Sequence, residues 1–393
     1  MAEKRVRTVL VVAVICFCSL LHSIATFKLL PMQAILKGFF DINDAQYGVM
    51  NSLASLPMIA LSIPFGFIAR KFPPKFTFMV GYAVGIAGMI VQAITANFTV
   101  FIIGKMLEGV GFGMATLVTN SLLVNVVGSK AAGLWMSIAV AITIVAQVIT
   151  TKVGTALLYD AGMHFQTFFW GLTALQGIAV IVWLVFIPKD IKIYGNQAAT
   201  KPTKEQTKRV ITNKDNWMVA IGMALFNAVS IAFPSYIIQY WVGRGMAQTE
   251  AANTLSITSL ISIGAMFVFG ILSDRLGTKK KIVIFSFCAA VVALVLLAVL
   301  PVNLMWIYIV LYGTLPRSIA GLSNASAVDI AEVPSDVPVV NSVKNTITQV
   351  LGFFLTFALG YMIEYLGYVV TIFILAGFMA VGAILWACTK RIP

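Results

Sequence analysis

Charge is what this chain lacks. Asp, Glu, Lys and Arg together make up 10% of its 393 residues, against roughly a quarter in an ordinary soluble domain. Acids are the scarcer sign, 14 against 27 basic residues, and there are only two histidines. A soluble globular reading is excluded on that ground. The four cysteines, Cys16, Cys18, Cys288 and Cys388, fall inside apolar stretches without metal-ligand spacing, so a disulfide framework or a zinc site is not expected and packing roles are. Also missing, in any suitable context, are H-E-x-x-H, G-x-S-x-G, P-loop and dinucleotide signatures, which makes a polytopic membrane enzyme or receptor a poor reading and leaves no cofactor to expect.

What the chain has is oil: 60% of it is hydrophobic. Windows such as Val9 to Phe27, Phe76 to Thr95 and Ile282 to Leu300 hold close to the ~20 apolar residues that a helix rising about 1.5 Å per residue needs to cross roughly 30 Å of hydrocarbon. The pattern predicts an all-α membrane protein of about twelve transmembrane helices, near 8–36, 47–69, 77–96, 98–126, 131–159, 166–187, 216–242, 249–272, 281–300, 304–328, 336–363 and 367–388. The first has the basic start of a signal peptide but is too long for one, and is read as retained. The net charge of +13 belongs to topology and not to nucleic acid: most basic residues fall on loops of one side, while Lys37 and Arg244 fall opposite, which puts both termini in the cytoplasm.

Between the sixth and seventh spans lies PKDIKIYGNQAATKPTKEQTKRVITNK, the longest polar segment. It reads as a linker, 188–214, between six-helix bundles at 1–187 and 215–393. The bundles repeat one another. GFIARKFPPKF (Gly66 to Phe76) precedes GILSDRLGTKK (Gly270 to Lys280) by 204 positions, and YDAG (Tyr159 to Gly162) precedes EYLG (Glu364 to Gly367) by 205. Gly270, Asp274, Arg275, Gly277, Lys279 and Lys280 match G-x-x-x-D-R-x-G-x-[RK]-[RK], the loop motif of the major facilitator superfamily, and with twelve spans and a central linker the whole chain resembles that family. The first half departs from the motif, with Arg70 where the acid belongs and Pro73 where Gly belongs. The resemblance implies parallel repeats with a binding site between the halves, and a state-dependent gate carried by Asp274, Arg275, Gly270 and Gly277, while Lys279 to Lys281 read as topology anchors. It also implies a monomeric, multi-pass protein of a bacterial inner (plasma) membrane.

Ionisable side chains inside spans cost roughly 2.5–3.5 kcal/mol each at a helix centre, so each needs a partner or a wet cavity. The candidates are His22 in the first helix, Lys105 and Glu108 in the fourth, Lys152 in the fifth, Arg317 in the tenth and Lys344 in the eleventh; Lys28 falls in the outer part of the first. In the family, helices 1, 4, 7 and 10 line the cavity and 2, 5, 8 and 11 flank it, so the resemblance turns all six inward. Lys105 and Glu108, three apart, share a helical face. Either they neutralise each other structurally or Glu108 carries a coupling proton, its affinity switched by burial and substrate. His22 suits the same task or packs as a hydrogen-bonded residue. Arg317 follows Pro316, which disturbs the helix beside a planar cation suited to carboxylates; a structural acid on another helix is the alternative. Lys344 flanks a stripe of Asn341, Asn345 and Thr348, and Lys152 follows Thr143, Gln147 and Thr150: ligand contacts, or helix glue. In the seventh helix, Tyr236 and Gln239 offer an aromatic wall and hydrogen bonds.

Lys105, Lys152, Arg317 and Lys344 against Glu108 leave a surplus of about three positive charges. The sequence thus predicts a secondary active transporter of a small organic anion, a mono- or dicarboxylate, working by alternating access with proton symport or anion exchange. A proton-coupled drug or cation exporter of the same fold is the rival; against it, Gly133 to Gly154 lacks the Gly-Pro-rich motif of drug/proton antiporters. Expected partners are the anionic substrate, a proton and the lipid bilayer, with no nucleic acid.

Overall fold

The structure is a computed structural model that describes residues 2–53, 55–57, 59–61, 72–127, 129–188, 203–316, 318–333 and 336–392. Among the described residues there are helices and no strand. In chain order they are α1 (Ala2–Thr26), a 3₁₀ segment (Phe27–Met32), α2 (Gln33–Phe40), α3 (Asp44–Leu53), α4 (Pro74–Ile94), α5 (Phe98–Val127), α6 (Ser129–Thr155) with a π turn (Ala156–Asp160), and α7 (Phe165–Phe186). The linker carries α8 (Lys204–Thr212); then come α9 (Lys214–Asn227) with a π turn (Ala228–Ala232), α10 (Pro234–Gly243), α11 (Gln248–Leu276) and α12 (Lys279–Val299). The chain closes with α13 (Met305–Thr314), α14 (Ser318–Ala325), α15 (Ala327–Ile330) and α16 (Val337–Cys388).

Nine stretches among the described residues are long and apolar enough to cross a membrane. The last, Val339–Cys388, has 50 residues, about 75 Å of helix, more than twice a hydrocarbon core. Its one non-helical residue, Gly367 at φ 78° and ψ 168°, kinks it where the eleventh and twelfth spans were expected to meet. The second span runs partly through residues outside the description, as does the repeat loop from Gly66 to Lys71, and the tenth is divided among α13, α14 and α15.

The chain divides into two compact units, Met1–Ile42 with Met50–Thr200, and Asn43–Val49 with Lys201–Pro393. In the first, α1 packs on α5, α6 and α7, and α4 lies along α5. In the second, α16 packs on α9 and α12, and α11 on α10 and α13. Two segments join the second unit for identifiable reasons. The amide of Asp44 donates to Glu364 at 2.8 Å, and Gly48 meets Gly360 so closely that a Cβ on Gly48 would sit 2.8 Å from the Gly360 Cα. Helix α8 of the linker is closed by a Thr203–Gln206 capping box and anchored by Arg209, 2.6 Å from Asp336.

Three helix interruptions fall at prolines. Pro31 lies in the 3₁₀ segment, Pro234 follows the π turn whose Phe233 amide bonds back to the Ala228 carbonyl at 3.0 Å, and Pro316 lies between α13 and α14. A proline supplies no amide hydrogen, so the helix relaxes into a tighter or wider turn or stops.

Candidate functional site

In the first unit, a seam of small residues decides the geometry. Gly81, Gly85 and Gly88 of α4 face Gly104, Gly111 and Ala115 of α5. A Cβ on Gly88 would stand 2.5 Å from both the Glu108 amide nitrogen and the Gly104 carbonyl oxygen, so only glycine admits this approach. Closeness brings Gln92, fully buried, to within 2.7 Å of Glu108 Oε2, while its amide also reaches the Gly88 carbonyl at 3.1 Å.

The 3₁₀ segment completes the cluster. Lys28 is 0% exposed and its Nζ donates to both Glu108 oxygens at 2.5 Å and to the Ala25 carbonyl at 3.3 Å. It also lies 5.2 Å from the centroid of the Phe169 ring, a cation–π contact. Lys105 joins from one helical turn away, 3.2 Å from Glu108 Oε1. Two ammonium groups and one carboxylate thus share a site with side-chain exposures of 0%, 6% and 4% for Lys28, Lys105 and Glu108.

His22 stands apart from those ion pairs. Its Nε2 is 3.1 Å from Thr116 Oγ1, whose hydroxyl donates to the Phe112 carbonyl at 2.8 Å. The hydroxyl proton being spent, Nε2 is the donor and Nδ1 the acceptor, and Nδ1 is buried without a partner among the described residues. The ring stands edge-on to Phe112 at 4.9 Å. His22 also lines a cavity of about 150 Å³ with Ser19, Tyr82, Thr116, Asn120 and Thr143. The walls are neutral: hydroxyls, an amide and rings.

On α6, Gln147 is buried, whereas Lys152 is exposed and has no hydrogen bond or ion pair among the described residues.

In the second unit, Lys344 is 1% exposed and donates to the Ser323 carbonyl at 2.8 Å and to Asn324 Oδ1 at 3.1 Å. Ser323 lies in the last turn of α14, where carbonyls lack intrahelical donors and a cation is favoured by the helix dipole. The tenth span is broken, and Lys344 closes one of its open ends. Asn345 is exposed, while Thr348 binds the Ala220 carbonyl at 3.1 Å. Tyr236 is buried with its hydroxyl 3.4 Å from the Asp44 carbonyl, and Gln239 donates to Gln248 at 3.3 Å. Arg317 lies outside the described residues.

At the loop that opens α12, Gly277 takes a left-handed φ of 61°, which favours glycine at a helix C-terminus. Gly270 and Asp274 are placed by backbone within α11, and Arg275 is exposed. Among the described side chains of this loop, Lys279 pairs with Asp329 at 2.8 Å and Lys280 donates to the Thr389 carbonyl at 2.6 Å.

Lys105 and Glu108, paired by helical spacing in the sequence, are thus brought together; Lys152 and His22 are not part of that cluster. Lys28 and Gln92 are the residues that sequence reasoning underweighted. Lys28 carried a signal in Pro31, three residues on, and Gln92 in the glycines at 81, 85 and 88 that line one face of its helix. Among the described residues, no group of three or more His, Cys, Asp or Glu side chains converges on a metal-sized site.

Comparison with known proteins then decides the family. The model of the Major Facilitator Superfamily matches residues 15–326. The chain belongs to the Major Facilitator Superfamily. It is a multi-pass integral membrane protein. Among solved structures of this fold, it is similar to a D-xylose–proton symporter (TM-score 0.79, 12% identity, 98% of each chain covered). It is also similar to the nucleoside transporter NupG (0.78, 14%, 97% of this chain and 100% of that one) and to a bacterial homologue of the human lysosomal transporter Spinster (0.77, 14%, 97% and 96%). By sequence it is 24% identical over 242 residues to the multidrug resistance protein MdtL of Escherichia coli (strain K12), covering 60% of this chain and 61% of that relative.

Proposed function

We propose that this superfamily member is a secondary transporter of a small organic anion, a mono- or dicarboxylate, moved by alternating access. One observation carries the reading: each unit holds a buried lysine site whose cations outnumber the acids that touch them by one. In the first, Lys28 and Lys105 share Glu108; in the second, Lys344 meets only neutral oxygens. An unmatched ammonium in a low-dielectric interior is costly, and an anionic solute offsets that cost at the site where it binds. Arg317 and Lys152 are further proposed cations for that solute, with His22, Tyr236, Gln239, Gln147 and Asn345 as neutral contacts. Coupling is by anion exchange, or by proton symport through Glu108. The loop containing Gly270, Asp274, Arg275 and Gly277 acts as the gate, tied down by Lys279 and Lys280. Both termini face the cytoplasm in this reading.

A second reading has its own support: the similarity to MdtL, which is named for multidrug resistance, makes an exporter of drugs or cations the rival. Thermal unfolding of the purified protein across a panel of organic anions, organic cations, sugars and nucleosides separates them. Carboxylates are expected to raise the melting temperature in a saturable way. Stabilisation by organic cations or neutral solutes, with none by carboxylates, rejects the anion reading.

A further inference from the structure

The two lysines that share Glu108 are not equivalent. An ammonium has three N–H donors, and Lys28 spends all of them: two on the Glu108 oxygens and one on the Ala25 carbonyl. Lys105 spends one, on Glu108 Oε1, and has no other partner among the described residues although its side chain is only 6% exposed. The surplus charge and the two unspent donors therefore both reside on Lys105.

Glu108 has the opposite character. A carboxylate offers about four lone-pair sites. Oε1 accepts from Lys28 and Lys105, and Oε2 from Lys28 and Gln92. Every site is occupied by a donor, so a proton on Glu108 would have to displace one of them. Gln92 is itself fixed by its second bond to the Gly88 carbonyl, one turn back on α4, beside a glycine seam with no slack. Lys28 is fixed by the interrupted backbone at Pro31 and by the Phe169 ring beneath it. The other ionisable group nearby, His22, bonds Thr116 through Nε2 and makes no bond to Glu108 among the described residues.

We propose that Lys105 is the ligating cation of a carboxylate subsite, and that Lys28, Glu108 and Gln92 are a rigid scaffold that keeps Glu108 ionised. The proposal rests on the anion reading above and narrows it. A monocarboxylate head group docking on Lys105 balances two cations with two carboxylates. The empty subsite keeps an uncompensated charge, so the loaded form reorients more readily than the empty one. Exchange, and not a proton carried by Glu108, is then the coupling mode this subsite supports.

The test uses the full-length protein in lipid nanodiscs, with thermal unfolding followed in sodium formate or sodium acetate against sodium chloride at matched ionic strength. Wild type should show a saturable rise with the carboxylates beyond that with chloride. Lys105→Met should raise the half-saturating concentration roughly tenfold or more, the loss expected for a charged hydrogen-bond partner, and Lys105→Arg should keep the response. Glu108→Gln, which leaves two cations for the added anion, should bind acetate at least as tightly as wild type. A Lys105→Met protein that responds like wild type overturns the subsite while leaving the anion reading intact; a wild type that answers no carboxylate overturns both. Infrared difference spectra of wild type against Glu108→Gln give an independent check. A protonated-carboxyl band assigned to Glu108 near neutral pH would overturn the scaffold role.

Discussion

Lys28 in the first unit and Lys344 in the second are both buried ammonium groups in apolar helices, and they are stabilised in different ways. Lys28 is met by a full charge, the Glu108 carboxylate, on a helix held close by glycines. Lys344 is met by partial charges, a last-turn carbonyl and a side-chain amide, made available because the tenth span is broken. The difference teaches where each unit is stiff. A carboxylate with four donors fixes its neighbours' rotamers and would be expensive to disturb, whereas a lysine on two neutral acceptors can leave them for a better anion at little cost.

The comparison can be broken hardest at Glu108. Glu108→Leu leaves two buried cations without their acid, and should cost about 3–5 kcal/mol by equilibrium unfolding in mild detergent. The double variant Lys28→Met with Glu108→Leu should recover much of that loss; if both variants are equally unstable, the pair is not what holds this region. Next in size is the seam. Gly88→Val should cost about 1–3 kcal/mol through overpacking, with Gln92 pushed off Glu108, and a melting temperature unchanged from wild type would show that α4 and α5 can separate freely. Lys344→Met, in the other region, should cost only about 1 kcal/mol because its partners are neutral. At the same time it should weaken carboxylate binding, read as a smaller thermal shift. Smallest is Arg391→Ala, whose exposed pairing with Glu332 at 2.7 Å should contribute under about 1 kcal/mol and fade with added salt.

Much of the fold was legible because hydrocarbon thickness imposes its own period: apolar runs near twenty residues marked the spans, and the G-x-x-x-D-R-x-G loop marked the family. Gly277 and Gly367 showed their turns for the same reason, that few other residues tolerate a positive φ. The Lys105–Glu108 pair followed from helical spacing alone. Lys28 did not, because its place depends on a turn of 3₁₀ helix that moves its ammonium inward, and spacing rules assume an unbroken helix. Gln92 was hidden for another reason: its helix, the third span, is not among those that the family resemblance turns to the cavity, and only the approach of two backbones at Gly88 and Gly104 shows what it touches. At the proposed gate, the motif points to Asp274 and Arg275, while Lys279 and Lys280 are tied to Asp329 and Thr389, residues far along the chain that no local pattern connects.

The kink at Gly367 has a consequence for how the chain is made. Since the turn between the last two spans uses a single residue, no loop separates them there, and an epitope or reporter tag spliced at that elbow is expected to lower the yield of folded protein.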